Sequence, residues 1–118
     1  MRTILTALLA LVAAASAAWA HAFLDRASPA VGSTVPAAPP QVSIWFTQPL
    51  EPAFSSIEVR DQAGNRVDTG ASTIDPADPM LLHVALKPLP AGSYHVAWHV
   101  LSVDTHTTEG TFTFHVEH

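Results

Sequence analysis

Asp104-Thr105-His106 places a carboxylate and an imidazole two residues apart near the end of the sequence. In extended backbone such residues project to the same side, so both donors would face one point. A second histidine, His21, follows Ala18-Trp19-Ala20, whose small residues fit the cleavage rule of a secretory signal. Cutting after Ala20 makes His21 the first residue, with an imidazole and a free α-amine on one Cα. An interior histidine is flanked by an amide, which binds metal only after losing a tightly held proton, whereas a terminal amine offers a lone pair. His21, Asp104 and His106 would supply two imidazoles, an amine and a carboxylate, the nitrogen-rich tetragonal set that favours Cu(II). The sequence alone does not put His21 opposite the Asp-x-His triplet, and the plainer reading has Asp104 capping a turn while His106 faces solvent.

The chelate depends on processing. Met1 and Arg2 lead an apolar run from Ile4 to Ala18 that ends in small residues, the order of an export signal, and the run is too short to span a bilayer as a helix. Residues 1–20 are therefore expected to be a cleaved signal peptide and residues 21–118 an exported domain. Ala15-Ser16-Ala17 also fits an A-x-A rule, and cleavage after Ala17 would leave Ala18 first and abolish the chelate.

Removing 20 of 118 residues leaves 98, enough for one small domain with a single modest core. Arg26, Arg60, Arg66 and Lys87 stand against ten carboxylates, a formal charge of −6 with neutral histidines, which argues against nucleic acid as a partner and for tolerance of cations. There is no cysteine, although export permits disulfides, so stability is expected from a sheet core. The lack of thiols also restricts metal chemistry to nitrogen and oxygen donors, which suit Cu(II), Ni(II) and Zn(II).

Ten prolines and the abundance of Val, Ile, Thr and aromatics predict short strands rather than helices. Val42, Ile44 and Phe46 alternate with Ser43, Trp45 and Thr47, a strand with one buried face that Pro49 closes. Ile57 and Val59 form another alternation, running into the turn-rich Asp61–Asn65 that suggests a hairpin. Residues 69–79 read as a Pro/Asp-rich loop and residues 81–86 as a strand. Tyr94, Val96, Trp98 and Val100 share one face of a long strand. An irregular segment over residues 102–110 then leads to a last strand in which Phe112, Phe114 and Val116 alternate with polar residues. The last two strands are expected to pair as an antiparallel hairpin, and the whole to form an all-β immunoglobulin-like sandwich or small Greek-key barrel. His95 and His99 lie four residues apart on a strand, too far to share an ion readily, and His83, His115 and His118 have no ligand-spaced partner.

The sequence resembles the CopC family of periplasmic copper-binding proteins. The resemblance rests on His21-Ala22-Phe23-Leu24 with Ser28-Pro29-Ala30 and Gly32, on Ile44-Trp45-Phe46-Thr47, on residues 91–98, and on Ser102-Val103-Asp104-Thr105-His106 with Gly110 and Phe112-Thr113-Phe114. It implies a Greek-key, immunoglobulin-like domain binding one Cu(II) through the amine and imidazole of His21 together with Asp104 and His106. It also implies a role in copper resistance or in delivery of copper to a CopD-type inner-membrane partner, expected here to be a separate chain.

Two departures stand out. Some members carry a methionine-rich Cu(I) site, whereas the mature chain has only Met80, and one thioether cannot build a soft cage; Cu(II) alone is expected. Gln48 stands where some members have an acid that approaches copper, and is read as a weak fourth position or a neighbour of the ligands. A non-enzymatic monomer is the expectation. The competing functions are a copper monooxygenase using an amino-terminal histidine brace, for which so short a chain offers little docking surface, and a structural sandwich module with no metal role.

Overall fold

The computed structural model describes residues 22–118. The described residues form eight strands: β1 (Leu24–Ser28), β2 (Thr34–Val35), β3 (Gln41–Phe46), β4 (Ser56–Asp61), β5 (Thr73–Asp75), β6 (Asp78–Ala85), β7 (Gly92–Leu101) and β8 (Thr107–Val116). They make two four-stranded sheets, ordered β1-β3-β6-β5 and β2-β8-β7-β4. Of the two all-β architectures expected, this is the sandwich. Among the described residues no helix is long and apolar enough to cross a membrane.

The period-two patterns in the sequence become the inner faces. Val42, Ile44, Leu82 and Val84 from one sheet are fully buried against Ile57, Val59, Val100 and Phe114 from the other. Phe46 meets Trp98 edge-on at 5.1 Å, and Tyr94 stacks on Phe114 at 5.5 Å, so aromatic pairs bridge the sheets at one end and reinforce the β7–β8 sheet further along. The Tyr94 hydroxyl donates to the Pro90 carbonyl at 2.5 Å, a tie back to the chain just upstream like the tyrosine corner of immunoglobulin-like sandwiches.

β7 and β8 pair antiparallel over ten positions, from Gly92 opposite Val116 to Leu101 opposite Thr107. This is the expected hairpin with a shorter loop: β8 begins at Thr107 and not near Thr111. Thr107–Gly110 carry no apolar alternation because Thr108 and Gly110 occupy the inward positions. Gly110 lies opposite Trp98, and a Cβ there would come within 2.5 Å of the indole, so the missing side chain is what lets the ring lie flat against β8.

Other expectations need correcting. Residues 69–79 hold β5 and the start of β6, hidden from a pattern reading by Pro76 and Pro79. The ladder partner of β4 is β7, and after the Asp61–Asn65 turn the chain returns only as an isolated Arg60–Arg66 bridge with the Val67 amide on the Val59 carbonyl. β1 has no counterpart among the expected strands. It is an edge strand with a register shift between Leu24 and Arg26, and its residues do not alternate cleanly. Arg26 lies over the Trp45 ring at 3.9 Å, covering the outer face of β3.

The free edge of β4 is closed by side chains. The buried Asp68 carboxylate accepts from the Val59 amide at 2.7 Å, the Gly70 amide at 2.7 Å and Arg66 Nε at 2.9 Å, while Ser72 Oγ accepts from the Ile57 amide at 2.9 Å. Burial alone would raise the Asp68 pKa, but Arg66 and the two amides reverse this and hold it below the usual carboxylate range. A depressed folded-state pKa contributes stability above the ordinary Asp range that disappears as pH falls through the folded value. Asp68→Ala should cost about 2 kcal/mol at neutral pH, by stranding a buried amide. Urea unfolding across pH checks this, and the gap from the parent should narrow in acid.

Candidate metal centre

The turn between β7 and β8 builds the site locally. Ser102 is fully buried, and its amide donates to the His106 carbonyl at 3.0 Å while the Thr105 amide donates to the Ser102 carbonyl at 2.9 Å. Closing so tight a turn puts Thr105 at φ 73°, a left-handed conformation that β-branched residues rarely adopt. The expectation that Asp104 and His106 converge because the backbone is extended is therefore wrong in its reason. The side chains do meet, with His106 Nδ1 3.4 Å from Asp104 Oδ1, but the left-handed residue between them turns them together.

Ser102 orients both. Its hydroxyl donates to Asp104 Oδ1, lies 3.2 Å from the His106 carbonyl, and accepts from the His106 amide at 3.3 Å. The hydroxyl does most to hold the Asp104 carboxyl below the usual range, with hydrogen bonding and charge from His106 adding to it. The deprotonated carboxylate is the form in which an Asp side chain binds a metal ion. Both side chains are open to solvent, 41% and 46% exposed, so an ion held here could enter and leave without the fold opening.

His21 lies outside the described residues, but its chain neighbour does not. Ala22 is fully buried, and its carbonyl accepts a hydrogen bond from Thr108 Oγ1 at 2.5 Å, two residues beyond His106. Gln48 is half-buried between two ties. Thr47 on one side exchanges hydrogen bonds with Phe23, and the Pro49 carbonyl on the other accepts from the Val103 amide at 3.1 Å. Gln48 therefore sits on the segment that joins the incoming chain to the Asp-x-His turn.

The other histidines are elsewhere. His95 and His99 are exposed on the outer face of β7, His83 is 4.0 Å from Asp75, and His115 Nδ1 is 2.7 Å from Ser93 Oγ. His118 is exposed at the end of the chain. Among the described residues no group of three imidazole or carboxylate side chains converges, and Asp104 and His106 meet as a pair. Met80 stands alone, partly exposed. Sequence reasoning passed over Thr108 and, although Thr47 and Ser102 stand in the family-like motifs, gave them no role, because hydroxyl residues are frequent in β proteins.

A two-sheet sandwich carrying an Asp-x-His turn beside its first strand defines the class, and a family profile for the CopC domain matches residues 24–117. The chain belongs to the CopC family. It is similar to the crystal structure of CopC from Methylosinus trichosporium OB3b, at 37% identity and a TM-score of 0.77, over 82% of this chain and 94% of that one. It is also similar to PcoC, a methionine-rich copper resistance protein from Escherichia coli, at 33% identity and a TM-score of 0.69, over 82% and 99% of the two chains. The copper transport protein CutJ of Bacillus subtilis is 36% identical over 110 residues, which is 92% of this chain but a fifth of CutJ.

Ser102→Ala should raise the Asp104 pKa toward the ordinary carboxylate range, because the largest influence lowering it is gone. Carboxyl NMR titration reads this directly, and an unmoved Asp104 midpoint would assign the shift to His106 instead.

Proposed function

We propose that this chain is a periplasmic Cu(II)-binding protein of copper resistance and homeostasis. In this reading the signal is cut after Ala20, and one ion is held by the amine and imidazole of His21 with Asp104 and His106. The observation that carries it is the Asp104–His106 pair at 3.4 Å, in a turn adjoining the strand residue that fastens Ala22. Relatives named for copper transport and copper resistance support the choice of metal and favour carriage over the oxidative and purely structural alternatives.

The chemistry follows from the donors. Two imidazoles, an amine and one carboxylate suit Cu(II), and with a single methionine in the mature chain a soft Cu(I) cage has no material. The exposure of Asp104 and His106 lets an incoming protein replace them one at a time. The chain therefore buffers copper or hands it on, the acceptor being a CopD-type membrane partner.

The test is intact-mass measurement of the exported protein with and without Cu(II). The expected result is a chain beginning at His21 that gains one copper. Protons compete for amine and imidazole, so affinity should fall steadily from mildly alkaline to mildly acidic buffer. A start at Ala18, or an affinity flat with pH, would overturn this ligand set.

Gln48 offers a second test. With an amide there, Asp104 is the only anion proposed as a ligand, so bound Cu(II) leaves the centre with net positive charge. Gln48→Glu should tighten Cu(II) and lower its reduction potential, which voltammetry and competition with a chelator measure.

A further inference from the structure

The peptide unit joining Ala22 to Phe23 is held at both of its polar ends, by different sheets. Its carbonyl accepts from Thr108 Oγ1 on β8, at 2.5 Å, and its N–H donates to Thr47 Oγ1 at the end of β3, at 2.9 Å. The next carbonyl along, that of Phe23, accepts from the Thr47 amide at 2.9 Å. The Ala22 side chain is fully buried and belongs to the core cluster. A peptide is planar, so fixing both its ends fixes the plane, and burying the adjoining Cβ fixes the rotation of Ala22 against it.

The strand ladders of the sandwich use neither threonine hydroxyl. Thr108 already pairs with Val100 through its backbone, and β1 pairs with β3 from Leu24 onward. The two hydroxyls act on the one peptide preceding β1, the point from which the chain leads back to His21.

We infer that Thr108 and Thr47 are positioning residues for the mature amino-terminal residue, setting the direction in which it leaves Ala22 toward Asp104 and His106. The inference rests on the proposed copper reading. Thr108 also registers the two halves of the centre, because it lies two residues from His106 on the same strand and holds Ala22 through its side chain. Threonine suits this role because its methyl packs, its hydroxyl donates, and its β-branch restricts χ1, so the donor is held in place.

Thr108→Val keeps the shape and removes the donor, and Thr108→Ser keeps the donor and removes the methyl. In the copper-free mature chain, Thr108→Val should speed hydrogen exchange at the Phe23 amide about tenfold while the β7–β8 amides stay protected. Loaded with Cu(II), it should bind about 10- to 100-fold more weakly, the range typical of losing a group that orients a ligand. It should also show altered parallel hyperfine splitting by EPR, a signature that stability alone does not move. Thr108→Ser should restore both. A third chain, with one glycine added before His21, separates the two claims. If that chain keeps full affinity, the amine is not a ligand and the copper reading fails. If it loses affinity while Thr108→Val keeps parental affinity and spectrum, the positioning role fails and the copper reading stands.

Discussion

The ten-pair ladder between β7 and β8 is the constraint from which the rest of the domain takes its geometry. Its register puts Tyr94, Val96, Trp98 and Val100 on one face with Phe112, Phe114 and Val116 beside them, which is half of the core. The same register sets Gly110 opposite Trp98, so the indole lies down over β8 and meets Phe46 of the opposite sheet. At its open end the ladder runs without slack to Leu101 and Thr107, leaving five residues to reverse the chain. So short a closure forces Thr105 left-handed and buries Ser102, and those two conditions bring Asp104 and His106 together.

The buried ties and the candidate site lie at different ends of the sandwich. The end away from the Asp-x-His turn is secured by Tyr94 on the Pro90 carbonyl and by the Asp68 carboxylate on the edge of β4. Arg60, Arg66 and Lys87 belong to that region, where Arg66 serves Asp68 and Lys87 donates its amide to Val67. The opposite end carries Asp104 and Gln48 on turns whose backbones are pinned to each other through Pro49 and Val103. Donors can therefore be exposed there without thinning the core, because Ser102 and Ala22 seal it beneath them.

Much of this is legible in the sequence. Strands with one face in the core write themselves as alternation, and β3, β4, β7 and the second half of β8 show it. Strands that gain their place from pairing alone leave no such record: β1 is an edge strand with a shifted register, β5 is three residues beside a proline, and the first half of β8 is threonine, glutamate and glycine. The donors Asp104 and His106 are identifiable by chemical type, but the reason for their convergence is not. Extended geometry is the expectation and a left-handed threonine is present, a conformation set by closure of the hairpin and not by any preference of Thr105. The hydroxyls that orient the donors are invisible, since a serine that organises a turn and a serine on a surface are the same letter.

The hydrogen bond from Thr108 to Ala22 spans 86 positions, whereas Asp104 and His106 are neighbours in one turn. The two halves of the proposed centre thus form by different routes. The turn can form with the hairpin, from local contacts whose entropic cost is small, but Ala22 reaches β8 only after the intervening strands have assembled. A nascent or partly unfolded domain would then hold two of the proposed donors and not the whole proposed set. On the proposed ligand set, tight capture of Cu(II) would be confined to chains that have completed their topology, and the ion would clasp the first strand to the last.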